Sequence, residues 1–309
     1  MSNLKSKWFY VFILGICLIG LALFLIFSQT NQSGDDAGDK VIEQNTSQSA
    51  KKKLVVIIAS DGMGSYLLGE NSPYINSVIE NSGTTYALKM QTIEQSETLP
   101  SFTSMLTGLK QENHKVDFNS VDLLTRQFQS KTIFDFALEN HFKPFVFVGK
   151  EKLMYLLGSK TGDSYLYKDV LSSDSLQDID DLVNPISDNV FAFIHLKDLD
   201  SVGHLWGWNS DKQQDALKTL DNNISLIVND LNTEFADYER FYIFTADHGG
   251  EGLDHSSGCE NCRTIPLIVN SQNTDKIYTL NDRQYDIYDV SCVALDLMGI
   301  ENVYKLDCE

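Results

Sequence analysis

Leu54-Val55-Val56-Ile57-Ile58-Ala59-Ser60-Asp61-Gly62-Met63-Gly64 is the stretch on which the fold turns. Six apolar residues follow one another without polar alternation, the pattern of a strand buried on both faces, as in the interior of a parallel sheet. The run ends in Asp61, which places a carboxylate at the carboxyl tip of that strand. Taken alone, an Asp-Gly step is a turn signal. Its meaning depends on what the other strands carry.

Four further runs read as strands: Pro144–Val148, Val190–His195, Phe241–Thr245 and Ile265–Val269. Helical spacing falls between them, over 133–139, through Leu217, Leu220, Ile224, Ile227 and Leu231, and over 287–297. Apolar strands alternating with amphipathic helices predict an α/β fold, a mostly parallel central sheet with helices on both faces. Ligands of such sheets gather beyond the carboxyl ends of the strands. Phe191-Ala192-Phe193-Ile194-His195 leads to Asp198 and then to Asp200-Ser201-Val202-Gly203-His204, a carboxylate and an imidazole four residues apart, with Gly203 allowing a tight bend. Phe241-Tyr242-Ile243-Phe244-Thr245 ends in Ala246-Asp247-His248-Gly249-Gly250, and Asp254-His255 follows. Each cluster has a bland reading as a solvated acidic loop. Carboxylates and imidazoles at several neighbouring strand tips instead match a pair of divalent cations.

Thr98-Leu99-Pro100-Ser101 opens a further helical segment, so the Thr98 hydroxyl serves either as an N-cap or as a group presented where backbone N–H groups favour an anion. Net charge selects the partner class. The 309 residues carry 24 Lys+Arg against 43 Asp+Glu, a formal charge of −19, so nucleic acid is an unfavourable partner. An anionic ester could be handled only where bound cations reverse the local field. With 42% hydrophobic and 22% charged residues, the chain has the composition of a globular protein with a real core.

The N-terminal region reads differently. Trp8 to Phe27 contains no charged residue, and a run of that length spans a bilayer's hydrocarbon core as a helix. With Lys5 and Lys7 before it and Asp35, Asp36 and Asp39 after it, the positive-inside rule places residues 1–7 in the cytoplasm, a single-pass anchor at 8–27 and the remainder outside. Residues 28–52 are polar and lack aromatics, as a flexible tether would, leaving 53–309 as the extracytoplasmic catalytic domain. Of five cysteines, Cys17 lies in the apolar run. Cys259, Cys262, Cys292 and Cys308 are expected to form disulfides in an oxidising compartment, and spacing leaves their three possible pairings open.

The motifs D-G-M-G (61–64), T-L-P-S-F-T-S-M-L-T-G (98–108), D-S-V-G-H-L-W-G (200–207), T-A-D-H-G-G (245–250) and D-V-S-C-V-A-L-D-L-M-G-I (289–300) occur in order. Across Lys53–Ile300 the chain resembles the alkaline phosphatase superfamily, most closely its type I phosphodiesterase branch. The resemblance implies an alkaline phosphatase-like fold with two divalent ions, zinc the expected metal. Asp61, Thr98, Asp247 and His248 would surround one ion, and Asp200, His204 and His255 the other. Thr98 would be the nucleophile, and the Asn119 amide would hold a phosphate oxygen. Together with the anchor read from residues 8–27, it implies a membrane-anchored hydrolase that cleaves a small phosphodiester or pyrophosphate through a covalent phosphothreonine. Leu99 occupies the place where nucleotide-cleaving relatives often carry an aromatic residue, and Lys115 that of the glycine usual after His114. Leu99, Trp206 and Lys150 are the candidate substrate contacts. A phosphoethanolamine-type transferase is the alternative within the superfamily, because His195-Leu196-Lys197-Asp198-Leu199-Asp200-Ser201-Val202-Gly203-His204 is also similar to those enzymes. A phosphomonoesterase of the same superfamily and a tethered binding module on this fold are the remaining readings.

Overall fold

The computed structural model describes residues 51–123, 126–157, 166–169, 188–302 and 304–308. The expected cytoplasmic segment and anchor, and all but the last two residues of the tether, lie outside them. Among the described residues no helix is long and apolar enough to cross a membrane.

The described strands are β1 (Lys53–Ser60), β2 (Thr84–Gln91), β3 (Phe142–Val148), β4 (Leu166–Asp169), β5 (Asn189–Leu196), β6 (Glu239–Thr245) and β7 (Thr264–Gln272). They form one sheet in the order β2-β7-β6-β1-β5-β3-β4. Pairing is parallel from β6 through β1, β5 and β3 to β4, and antiparallel where β7 meets β6 and β2. The sheet is therefore mixed, with a parallel centre. β2 carries no continuous apolar run, and only Met90 of its residues is buried. It is an edge strand held by antiparallel pairing to β7, which explains why periodicity alone does not reveal it.

The helices are α1 (Pro73–Ile79), α2 (Thr98–Thr107), α3 (Gln111–His114), α4 (Ile133–Glu139), α5 (Asp198–Trp206), α6 (Asp211–Glu234), α7 (Glu260–Arg263) and α8 (Asp289–Met298). α4 spans the expected residues. α6 buries Leu217, Leu220, Ile224, Ile227 and Leu231 as its spacing predicts. α5 corrects an expectation. Asp200 to His204 is a helix, and Gly203 lies inside it because a Cβ there would sit 2.7 Å from the Trp208 ring. The four-residue spacing consequently places Asp200 and His204 one turn apart on the same helix face.

Register brings the strand tips level. Ala59 is opposite His195 on one side and Thr245 on the other, so the chain leaves β1, β5 and β6 at the same edge of the sheet. Every residue of α2 is buried, and the helix presents Thr98 at its first position. Two disulfides settle the cysteine pairing, Cys259 with Cys262 and Cys292 with Cys308. The second ties the C-terminal segment to α8. Asp307 in that segment accepts the Lys110 N–H at 2.7 Å and the Asn113 amide at 2.6 Å, which holds the chain just past α2.

Candidate metal centre and nucleophile

Asp61 is wholly buried, and its two oxygens do different things. Oδ2 meets His195 Nε2 at 2.9 Å and Lys150 Nζ at 2.7 Å. The Gly149 backbone N–H donates to His195 Nδ1 at 3.0 Å. That nitrogen is an acceptor, so a neutral His195 carries its proton on Nε2 and donates it to Asp61. Burial pushes the His195 pKa down, which keeps the ring neutral. Burial alone would raise Asp61, but the Lys150 charge and the His195 hydrogen bond outweigh it and hold the carboxyl well below the usual range. Asp61 Oδ1 has no hydrogen-bond partner.

Asp200 shows the same division. Its Oδ2 is 2.6 Å from Lys150 Nζ, while Oδ1 has no hydrogen-bond partner. Asp247 accepts the Gly62 and His248 backbone N–H groups on Oδ1, at 3.1 and 2.9 Å, and leaves Oδ2 unpartnered. Burial and the nearby Asp61 charge push the Asp247 pKa well up. Gly62 is required here. It adopts φ +79°, and a Cβ would lie 2.9 Å from the Asp200 backbone.

The imidazoles are oriented by carbonyls. Nδ1 of His248, His255 and His204 faces the carbonyl of Gly249, Ser96 and Leu253 at 2.9, 2.7 and 3.0 Å respectively. A carbonyl only accepts, so each Nδ1 carries the proton and each neutral ring keeps a lone pair on Nε2. Those Nε2 atoms point at carboxylates. His248 is 3.5 Å from Asp61 Oδ1 and 3.3 Å from Asp247 Oδ2, while His204 and His255 are 3.4 and 3.6 Å from Asp200 Oδ1. Burial lowers the pKa of both His248 and His255, and their rings stack at 3.7 Å.

Lone pairs facing lone pairs in a buried site are unfavourable unless a cation lies between them. Two groups of ligand atoms meet the geometric requirement, Asp200 with His204 and His255, and Asp61 with Asp200 and His248. The residues therefore fit divalent metal, and Asp200 belongs to both groups. Lys150 does not compete for the same atoms. It uses the Oδ2 atoms of Asp61 and Asp200, whereas their Oδ1 atoms face the histidines.

Thr98 Oγ1 lies 3.4 Å from Lys150 Nζ. Asn119 is beside it, with Oδ1 accepting the Leu99 backbone N–H at 3.0 Å and the Lys152 ammonium at 2.8 Å. The amide oxygen thus satisfies one of the free N–H groups in the first turn of α2. Leu99 itself is fully buried, so its side chain is a core residue rather than the substrate contact expected of it. Trp206 is 63% exposed at the rim. Trp208 is instead a buttress, packed between Gly203 and Gly250 and donating to the Gly62 carbonyl at 3.2 Å.

His195 and Lys152 are absent from the sequence-level set. A polar residue closing an otherwise apolar buried strand was the available signal for His195. For Lys152 it was the second basic residue in Lys150-Glu151-Lys152.

Comparison with known proteins adds to this geometry. Residues 159–288 match the family model for type I phosphodiesterase / nucleotide pyrophosphatase. GPI ethanolamine phosphate transferase 1 of Candida glabrata is 25% identical over 236 residues, covering 70% of this chain and 25% of the relative. Its Saccharomyces cerevisiae counterpart is 37% identical over 82 residues, 26% of this chain and 9% of the relative. The chain thus spans a quarter or less of these relatives. The periplasmic domain of phosphoethanolamine transferase EptC from Campylobacter jejuni aligns with a TM-score of 0.61 at 14% identity, covering 82% of this chain and 92% of that one. The corresponding zinc complex of Escherichia coli EptC aligns at 0.59 and 14%, covering 87% and 85%. Murine ectonucleotide pyrophosphatase / phosphodiesterase 5 shares the fold at 0.63 and 12%, covering 82% and 96%.

The hydrolase expectation is corrected by these relatives. The named sequence relatives are ethanolamine phosphate transferases. The chain has an alkaline phosphatase-like fold, and its residues 159–288 match the family model for type I phosphodiesterase / nucleotide pyrophosphatase.

Proposed function

We propose that this chain is a metal-dependent transferase that moves a phosphoethanolamine-type group from a phosphodiester donor to an acceptor hydroxyl by way of Thr98. The observation that carries the reading is the convergence of unpartnered Asp61 Oδ1, Asp200 Oδ1, Asp247 Oδ2 and His248 Nε2 at the strand tips from which Lys150 reaches Thr98. The ethanolamine phosphate transferases among its relatives supply the direction. Asp61, Asp247 and His248, with Asp200, His204 and His255, would hold two zinc-like ions. Bound there, such ions would lower the pKa of a nearby hydroxyl and offset the negative charge of phosphate.

The chain's own residues do the rest. His195 holds Asp61 by Oδ2 and so leaves Oδ1 turned to the site. Lys150 brings positive charge to Thr98, favouring its oxygen as a nucleophile and later as a phosphate ester. Asn119 and Lys152 would meet the phosphoryl oxygens beside the first turn of α2. In the first half-reaction the Thr98 hydroxyl gives up its proton, its oxygen forms a bond to phosphorus, the donor's ester bond breaks, and the leaving alcohol takes up a proton. In the second, the acceptor hydroxyl gives up its proton and its oxygen bonds to phosphorus, the bond from phosphorus to Thr98 breaks, and the Thr98 oxygen takes up a proton. Thr98 is only 1% exposed, which restricts bulk water at the point of transfer.

The test is intact-mass and peptide mass spectrometry of the full chain after incubation with zinc and phosphatidylethanolamine vesicles. A phosphoethanolamine adduct on Thr98, with diacylglycerol released and the adduct lost on adding an acceptor alcohol, is the expected result. Absence of both adduct and diacylglycerol, or diacylglycerol release undiminished in Thr98→Ala, would overturn the reading.

A further inference from the structure

Three of the large hydrophobic side chains that remain exposed belong to two segments that meet beside His204 at the metal centre: Leu205 at 73%, Trp206 at 63% and Leu253 at 60%. Their proximity follows from the chain path. Leu205 and Trp206 end α5 immediately after His204, and the Leu253 carbonyl faces His204 Nδ1 at 3.0 Å. A Cβ on Gly207 would reach Leu253 Cδ2 at 4.0 Å, and the Trp208 N–H donates to the Gly252 carbonyl at 2.8 Å. The other exposed large hydrophobics among the described residues, Tyr86, Leu138, Leu226 and Ile277, belong to separate segments.

We propose that Leu205, Trp206 and Leu253 form a docking surface that inserts into the outer part of a bilayer and brings the site to a lipid donor. An exposed Trp flanked by leucines has the amphipathic character of side chains that settle at the membrane interface. Surrounding charge selects the kind of surface. Exposed Glu251 and Asp254 flank Leu253, and the whole chain carries −19, so attachment is hydrophobic and favours zwitterionic over anionic lipid. The uncharged run Trp8–Phe27 and the polar residues after it provide a sequence-level reason for a bilayer to be within reach. The use of the surface for donor capture rests on the transferase reading, whereas insertion itself does not.

Trp8, Trp206 and Trp208 are the tryptophans of the chain, so Trp206 can be followed in full-length protein carrying Trp8→Phe. The protein is placed in phosphatidylcholine vesicles with and without brominated acyl chains, and Trp8→Phe/Trp206→Phe serves as the reference. The expected result is bromolipid quenching that depends on Trp206, unchanged by high salt and weakened when anionic lipid is added. Leu205→Ser should lower turnover of bilayer phosphatidylethanolamine by about tenfold, the effect of losing one partly inserted leucine, and leave turnover of a soluble short-chain donor unchanged. Trp206 emission that ignores bromolipid while remaining open to aqueous acrylamide overturns the proposal. So does a Trp206 shift that depends on protein concentration without lipid, which would assign the surface to a second copy. Quenching without transfer from any donor would leave docking standing and remove the transferase reading.

Discussion

Replacing Lys150 by Met separates the two sources of positive charge in the site. The ammonium lies 2.7 Å from Asp61 and 2.6 Å from Asp200, with Lys150 17% exposed and the carboxylate side chains 0% and 7%. Removing one partner from a buried ion pair costs about 3–5 kcal/mol because the remaining charge is left unpaired. For a domain of this size that corresponds to a melting-temperature loss of roughly 6–20 °C. The loss should appear in chelator. Because the metal-facing Oδ1 atoms are not those bound by Lys150, a divalent ion can still enter the variant and find carboxylates with no competing counter-charge. Zinc at a thousandfold over its dissociation constant stabilises by about 4 kcal/mol, and tighter binding to Lys150→Met, whose carboxylates have lost their counter-charge, should make its zinc shift larger than the parent's and narrow the gap.

Acid should narrow the gap as well. Burial and Asp61 already push Asp247 up, and without Lys150 the folded site takes up protons more readily than the unfolded chain, so stability of the variant falls as pH rises. Thermal unfolding of both proteins in EDTA and in zinc, at pH 5.5 and 8, measures each part. Equal melting temperatures in EDTA, or an identical zinc shift for both proteins, would refute the reasoning.

His195→Gln removes the hydrogen bond that fixes Asp61 Oδ2, and zinc affinity measured by competition with a chromophoric chelator should fall about 10–100-fold. An unchanged affinity would make His195 a packing residue. Burial pushes the His114 pKa down to about 4, and in the structure its ring meets Ser104 Oγ at 2.9 Å and accepts the Val116 N–H at 3.1 Å. The unfolded imidazole protonates first, so stability should decline as pH falls from about 6.5 to 4, by up to roughly 3 kcal/mol, and hold level below that. Urea unfolding of His114→Asn should show a shallower decline, and a matching one would refute the assignment. Lys115 adopts φ +58° at the end of α3, so Lys115→Gly should raise stability by up to about 1 kcal/mol, read from the urea midpoint.

The parallel centre of the sheet was legible because β1, β5 and β6 are unbroken apolar runs, and such runs satisfy few environments other than burial on both faces. Each run ends in chemistry-bearing residues, so Asp61, Asp200, Asp247 and His248 could be named before their positions were known. Lys115 was legible in another way, since the resemblance implies glycine at its position and it adopts a backbone conformation that glycine tolerates best.

Tertiary structure decided what depends on distance across the sheet. β2 exists as an edge through its pairing with β7, and local pattern does not encode a partner. Asp200 and His204 became one helix face, whereas their sequence admitted a bend. Leu99 went into the core because α2 is buried on every side. The split roles of the carboxylate oxygens, with Lys150 on one side and histidine lone pairs on the other, arise from segments that meet only after β3, β1 and β5 are aligned. Residue identity thus determined which groups could bind cations and phosphate. Their protonation, orientation and division of labour came from the neighbours that folding placed around them.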